Sequence, residues 1–172
     1  MSTIKPNTKH EEDRYKILGL DVGIKRIGLA IYRKELAKVY PLPTIKRTIK
    51  TPEMEIIKII DHQKITSIVV GIPLSSINEP TDQEKDIRSF TESIKNRCNI
   101  EIFFEDEYLS SEDAKEILEI YSSPSKLIRE SGYIDAISAS IILKRYLIKQ
   151  NLNPEISLGD IRKRISQLKN RS

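Results

Sequence analysis

Apolar and polar positions are most sharply patterned between Lys16 and Tyr32, where two β-rich runs flank a short turn. Lys16-Ile-Leu-Gly-Leu-Asp21 reads as a strand, Gly23 opens a tight turn, and Ile27 to Tyr32 reads as a second strand. Two such runs joined by a Gly-containing turn predict a β-hairpin. Strand side chains alternate between faces, so Ile17, Gly19 and Asp21 share one face and Leu18, Leu20 and Val22 the other. A carboxylate at the inner end of a buried run is unusual. Gly19, two residues earlier, is expected to leave open space beside it. Gly23 and Gly28 allow another backbone or a phosphate to approach closely. As an isolated feature, Asp21 also suits the start of a turn.

Downstream, the pattern predicts alternating strands and helices. Ala37 to Arg47 reads as a third strand, at an edge or interrupted, because Pro41 and Pro43 cannot donate to a central ladder. Thr51-Pro52-Glu53 supplies an N-cap, a first-turn proline and an acid for a helix ending near Lys64, with Met54, Ile56, Ile57 and Ile60 on its apolar side. Thr66 to Pro73 is a near-continuous β-branched run, the pattern of a strand buried on both faces. Thr81 and Glu84 form a capping box for a helix to about Arg97. Ile100 to Phe104 is the next strand, followed by Glu105-Asp106-Glu107. Ser110 and Asp113 cap another helix. From Ser131 a long helix follows whose small middle residues, Ala136, Ser138, Ala139 and Ser140, let it lie close to a sheet. Asp135 shares a face of it with Ala139, Ile142 and Tyr146. Ile156, Ile161, Ile165 and Leu168 allow a last amphipathic helix. The order β-β-β-α-β-α-β-α-α predicts an α/β fold with a mixed sheet.

Composition narrows the class. A chain of 172 residues, 38% hydrophobic and 31% charged, suits one ordinary globular domain. The single cysteine, Cys98, forms no internal disulfide or Cys-based zinc site, which points to a reducing cytoplasmic home. Residues 1–13 show no periodicity and read as a loose arm. No signal peptide or membrane span is expected. A net charge of +4 is compatible with nucleic-acid binding without requiring it. His62 suits a helix end. Ser75, Ser76, Ser110 and Ser111 have no local His-based activation signal for nucleophilic catalysis.

Three acids stand where secondary structure does not require them: Asp21, Glu107 or Asp106, and Asp135. Open α/β sheets place their sites at the carboxyl ends of strands, where carboxylates on two neighbouring strands and a packed helix can converge. Such like charges repel unless they share protons or bind a cation. Oxygen ligands without His or Cys suit Mg²⁺ or Mn²⁺, and two such ions can hydrolyse a phosphodiester. Read singly, these acids also fit an N-cap at Asp106, a surface position at Glu107 and a helix-dipole partner at Asp135.

At these residues the chain resembles the YqgF/RuvX-like family on the ribonuclease H-like fold. The matching pieces are Leu20-Asp21-Val-Gly23-Ile-Lys-Arg26-Ile-Gly28, Pro41-Leu-Pro43-Thr44-Ile, Val70-Gly71-Ile-Pro73-Leu, Asp106-Glu107-Tyr-Leu109-Ser-Ser111 and Ile134-Asp135-Ala-Ile-Ser-Ala139, in that order. The resemblance implies a metal-dependent nuclease with Asp21, Glu107 and Asp135 as its metal carboxylates. It implies processing of the 5′ end of precursor 16S ribosomal RNA, with Holliday junction resolution as the alternative. The chain then divides into an arm (1–13), a nuclease domain (14–150) and a basic tail (151–172).

Lys25 and Arg26 are candidates for gripping a phosphate, and Arg162, Lys163 and Arg164 for unspecific backbone contact. Three departures stand out. Tyr108 replaces the family's usual Arg, for which Lys126 or Arg129 would substitute. The loop after Pro73 lacks the usual glycine, and Ile24 stands where a small polar residue is common. Two competing readings are an actin-like sugar kinase, for which the chain is too short, and a noncatalytic nucleic-acid-binding module. A junction resolvase would act as a symmetric dimer. No dimer signature is evident, so a monomer or weak dimer acting on RNA is expected.

Overall fold

The computed structural model describes residues 15–74, 79–107 and 132–157. Its strands are β1 (Lys16–Val22), β2 (Arg26–Arg33), β3 (Lys38–Lys46), β4 (Ser67–Ile72), β5 (Glu101–Asp106) and β6 (Glu155–Ile156). Its helices are α1 (Pro52–Gln63), α2 (Asp82–Cys98) and α3 (Tyr133–Lys149). Among the described residues the strands form one sheet in the order β5-β4-β1-β2-β3-β6. The β1–β2–β3 meander is antiparallel, and β4 and β5 join β1 in parallel.

The alternation read from β1 sorts the core into two layers. Leu18, Leu20 and Val22 join Ile56, Ile60, Ile87, Phe90 and Ile94 beneath α1 and α2. Ile17 lies on the other face with Ala139, Ile142, Leu143 and Leu147 of α3. All six residues of β4 are buried, as expected of a central strand covered on both sides. Each fully buried aliphatic side chain contributes about 1.5–3 kcal/mol. Apolar packing of this kind holds α3, and Lys149 adds an ion pair to Glu105, whose buried carboxylate would be left uncompensated without it.

Several local expectations are refined. Thr81 caps α2 by accepting from the Glu84 amide at 3.1 Å, but the Glu84 carboxylate accepts from Arg88 instead of closing the box. Thr51 stands at the N-cap of α1 without a side-chain hydrogen bond, leaving Pro52 as the start signal. Strand β5 runs on to Asp106 because its pairing with β4 continues through Gly71–Glu105 and Ile72–Asp106. In β3, β6 covers only Lys38 and Val39, so Pro41 and Pro43 interrupt no ladder on that side among the described residues. Ile156, expected in a terminal helix, lies in β6 opposite Val39, and the partly buried side chain joins the α3-side core. Burial pushes the Cys98 thiol up, and its Sγ donates to the Ile94 carbonyl, in keeping with a packed cysteine. No helix among the described residues is long and apolar enough to cross a membrane. The expected arm, the Ser75–Ser76 loop, the Ser110 helix and the helix over Ile161–Leu168 lie outside the described residues.

Candidate active site at the carboxyl ends of the central strands

Asp21 is the penultimate residue of β1, opposite Gly28 of β2, on the face that carries α3. The space expected beside it at Gly19 is filled by the helix. A Cβ on Gly19 would stand 2.8 Å from Leu143 Cβ and 2.9 Å from the Ala139 carbonyl oxygen. The missing side chain thus serves helix packing. At Gly28 the approaching backbone is that of Asp135 itself, whose carbonyl oxygen lies 1.9 Å from where a Cβ would be. Gly132, at the N-cap of α3 with φ 76°, packs on Thr44 of β3. Gly28 and Thr44 therefore seat the first turn of α3 and bring Asp135 to the hairpin.

Glu107 follows β5, its amide donating to the Ile72 carbonyl at 3.1 Å. Its side chain lies over Gly71 of β4, where a Cβ would meet Glu107 Cγ at 3.0 Å and Oε1 at 3.1 Å. Because β4 stands between β5 and β1, this glycine gives Glu107 room over the strand next to Asp21. A lone glycine inside a β-branched run is a legible signal of such close approach.

The charges of Glu107 and Asp135 both act on Asp21. Burial, then the negative charges of Glu107 and Asp135, raise the Asp21 carboxyl to about 7. Glu107 is raised by burial and then by Asp106, and Asp135 by burial, partly offset by Arg26. Protons on such a cluster belong to the group more than to one residue. Among the described residues no three acidic, His or Cys side chains are gathered into a ready metal-ligand set. The hard oxygen donors nevertheless match Mg²⁺ or Mn²⁺, and a dication would relieve the burial and repulsion that lift Asp21.

The turn beside the acids is braced. Gly23 N donates to the Arg26 carbonyl at 2.9 Å, and Arg47 N to the Lys25 carbonyl at 2.9 Å. Arg47 Nη1 also donates to the Gly23 carbonyl at 3.2 Å. The guanidinium grips Asp86 of α2 at 2.6 and 2.9 Å and stacks 5.1 Å from the Phe90 ring centroid. Arg47 carried no sequence signal for this role, since Asp86 is 39 residues away. Lys25 is exposed on the turn, and Arg26 is half-buried with its charge acting on Asp135. The other expected cations, Lys126, Arg129, Arg162, Lys163 and Arg164, lie outside the described residues, as does Tyr108.

The family model RuvX, described as Holliday junction resolvase, matches residues 15–149. A protein of Maridesulfovibrio salexigens described as "Putative pre-16S rRNA nuclease" is 32% identical over 135 residues, covering 78% of this chain and 98% of that protein. One of Sulfurihydrogenibium with the same description is 35% identical over 142 residues, covering 81% and 94%. Among solved structures, Thermus thermophilus RuvC in complex with a Holliday junction substrate matches with a TM-score of 0.51 at 12% identity, covering 82% of this chain and 99% of that one. At that identity the likeness speaks for the fold, a mixed α/β sheet of the RuvC and ribonuclease H-like kind. With the profile spanning most of its length and relatives aligned nearly end to end, the chain belongs to the RuvX nuclease family.

Proposed function

We propose that this protein is a metal-dependent nuclease that hydrolyses phosphodiester bonds in the 5′ region of precursor 16S ribosomal RNA. The observation that carries the reading is the placement of Glu107 over Gly71 of β4 and of the Asp135 turn against Gly28 of β2, the two strands flanking β1, where burial and then the charges of Glu107 and Asp135 lift Asp21 to about 7. The descriptions of the aligned relatives support the RNA substrate. Asp21, Glu107 and Asp135 would hold two Mg²⁺ or Mn²⁺ ions. Bound there, the ions supply an activated water and charge stabilisation for the leaving oxygen. The chain itself sets the carboxylates on strand ends and a helix start, while Lys25 and Arg26 meet phosphate beside them. Residues 14–150 form the catalytic domain, and a ribosome-maturation role places it in the cytoplasm.

The description of the matching family supports a second reading, cutting of Holliday junctions. That reaction needs two opposed cuts and hence a symmetric pair of sites, whereas trimming one RNA strand needs a single protomer. The discriminating experiment incubates the protein with structured RNA bearing precursor-like single-stranded ends, and separately with four-way DNA junctions, in Mg²⁺, Mn²⁺ or EDTA. Cutting of the RNA that EDTA abolishes is the expected result. Paired cuts confined to the junction would favour resolution, and binding without cutting of either would leave a noncatalytic module.

The basic tail provides a separate expectation. Removing residues 158–172, which hold Arg162, Lys163, Arg164, Lys169 and Arg171, retains β6 and deletes five cations. Each lost phosphate contact should reduce the slope of log K against log salt by about 0.7 for a single strand. Binding titrations over a salt series would show this, and an unchanged slope would exclude the tail from the interface.

A further inference from the structure

The tip of the β1–β2 turn presents Ile24 with 85% of its surface exposed. Single exposed aliphatic residues are common and carry no meaning alone. Three features set this one apart. Turn positions favour Gly, Asn, Asp and Ser for conformational reasons, and a β-branched residue supplies none of these. The turn is braced from both ends through Arg47, which is tied in turn to α2. It also follows Asp21 by three residues in the turn that leaves β1, with exposed Lys25 adjacent.

Resting on the nuclease reading, we infer that Ile24 is a specificity-determining residue that packs against an unstacked nucleobase of the bound strand next to the bond to be cut. The chemistry is complementary along the turn: Lys25 faces a phosphate while Ile24 offers an apolar surface to the neighbouring base. Every base has an apolar face, so such a contact tolerates sequence and requires only that the base be free of its stack. It therefore selects single-stranded or distorted sites over continuous duplex. An aliphatic wedge of this kind works only if the backbone beneath it does not yield. The Arg47 brace provides that by lowering the ordering needed on binding.

The test is a two-way cycle between side chain and base. Single-stranded RNAs of one sequence, each lacking a different single base, are titrated by fluorescence anisotropy in EDTA against the Asp21→Asn protein, which keeps the strands intact. The same titrations are made with Ile24→Ser added. Removing one particular base should weaken binding about five- to tenfold when Ile24 is present, the scale of partly burying an aliphatic side chain. Ile24→Ser should weaken the intact strand by the same factor and lose nothing further when that base is removed. Arg47→Gln should reduce the base-dependent factor although Ile24 remains. Because Ile24 is solvent-facing, its replacement should leave the melting temperature unchanged, so a folding defect would be recognised.

Insensitivity of the Ile24 protein to removal of any base overturns the inference, as do independent, multiplicative losses from the two changes. A base effect unchanged in Arg47→Gln overturns the bracing role. Cutting by the unmodified protein in Mg²⁺ or Mn²⁺ is measured separately. Its absence would defeat the nuclease reading while the binding cycle still decides the contact.

Discussion

Asp21→Asn is expected to abolish strand cleavage and, at the same time, to stabilise the metal-free protein at neutral and alkaline pH. On the proposed two-ion reading the catalytic loss should be at least about a thousandfold, since removing one charged oxygen from the carboxylates that would hold the ions forfeits several kcal/mol of transition-state stabilisation. The gain in stability follows from the same buried charge. Burial, then the charges of Glu107 and Asp135, lift the Asp21 carboxyl in the folded chain from its ordinary 3.8 to about 7. Between these values the folded state holds a proton that the unfolded state has released. Stability therefore falls as pH rises across that window, and above pH 7 the folded chain carries the full penalty. At about 1.4 kcal/mol per pKa unit, this amounts to a few kcal/mol. Asparagine, similar in shape and uncharged, removes it. Thermal melts in EDTA should show the variant above the wild type at pH 8 and the two converging near pH 4. Mg²⁺ should raise the wild-type melting temperature at pH 8 and have little effect on the variant. A lower melting temperature for the variant at pH 8, or undiminished cutting, would refute a strained carboxylate cluster that a cation relieves.

The second large effect is expected from a single methyl group. Gly28→Ala would place a Cβ 1.9 Å from the Asp135 carbonyl oxygen and 3.0 Å from the Ala136 amide nitrogen. Both are backbone atoms of α3, so no side-chain rotation relieves the clash. The first turn of α3 must lift away from the sheet, loosening Ala136 and Ala139, which are fully buried. Overpacking of this kind costs about 3 kcal/mol or more. For a chain of this size that lowers the melting temperature by roughly 6–12 °C. Asp135 moves with the turn, so cleavage should also fall well below the wild type at temperatures where the variant is still folded. Destabilisation of less than about 1 kcal/mol by denaturant titration would mean that α3 does not rest on β2 as described. At Gly71, by contrast, a Cβ would first meet Ile142 Cδ1 at 2.4 Å, the end of a flexible side chain. The harm expected there falls on the placement of Glu107 more than on the fold.

The division between what one chain segment reveals and what only the assembled fold decides is visible at individual residues. Periodicity alone determined the hairpin, the doubly buried β4, the extents of α1 and α2 and the close-packing face of α3. Each is a short-range pattern of apolar spacing, and burial enforces it locally. The same pattern put Asp21 on the face opposite Leu20, and hence under α3. The tertiary structure decided what the glycines are for. Gly19 and Gly28 look alike as spaces in strands, yet both are filled by one helix more than a hundred residues later, and Gly71 gives room to a carboxylate from the next strand. It also drew Ile156 into the sheet edge against the helical spacing of its neighbours, because Val39 offered an open backbone partner. Arg47 shows the limit most clearly. Its grip on Gly23 and Asp86 joins a turn, a strand end and a helix that lie far apart in the chain. Residue types and local spacing determined which acids and elements were available. Long-range packing decided which of them meet, because contacts between distant segments depend on how the layers stack.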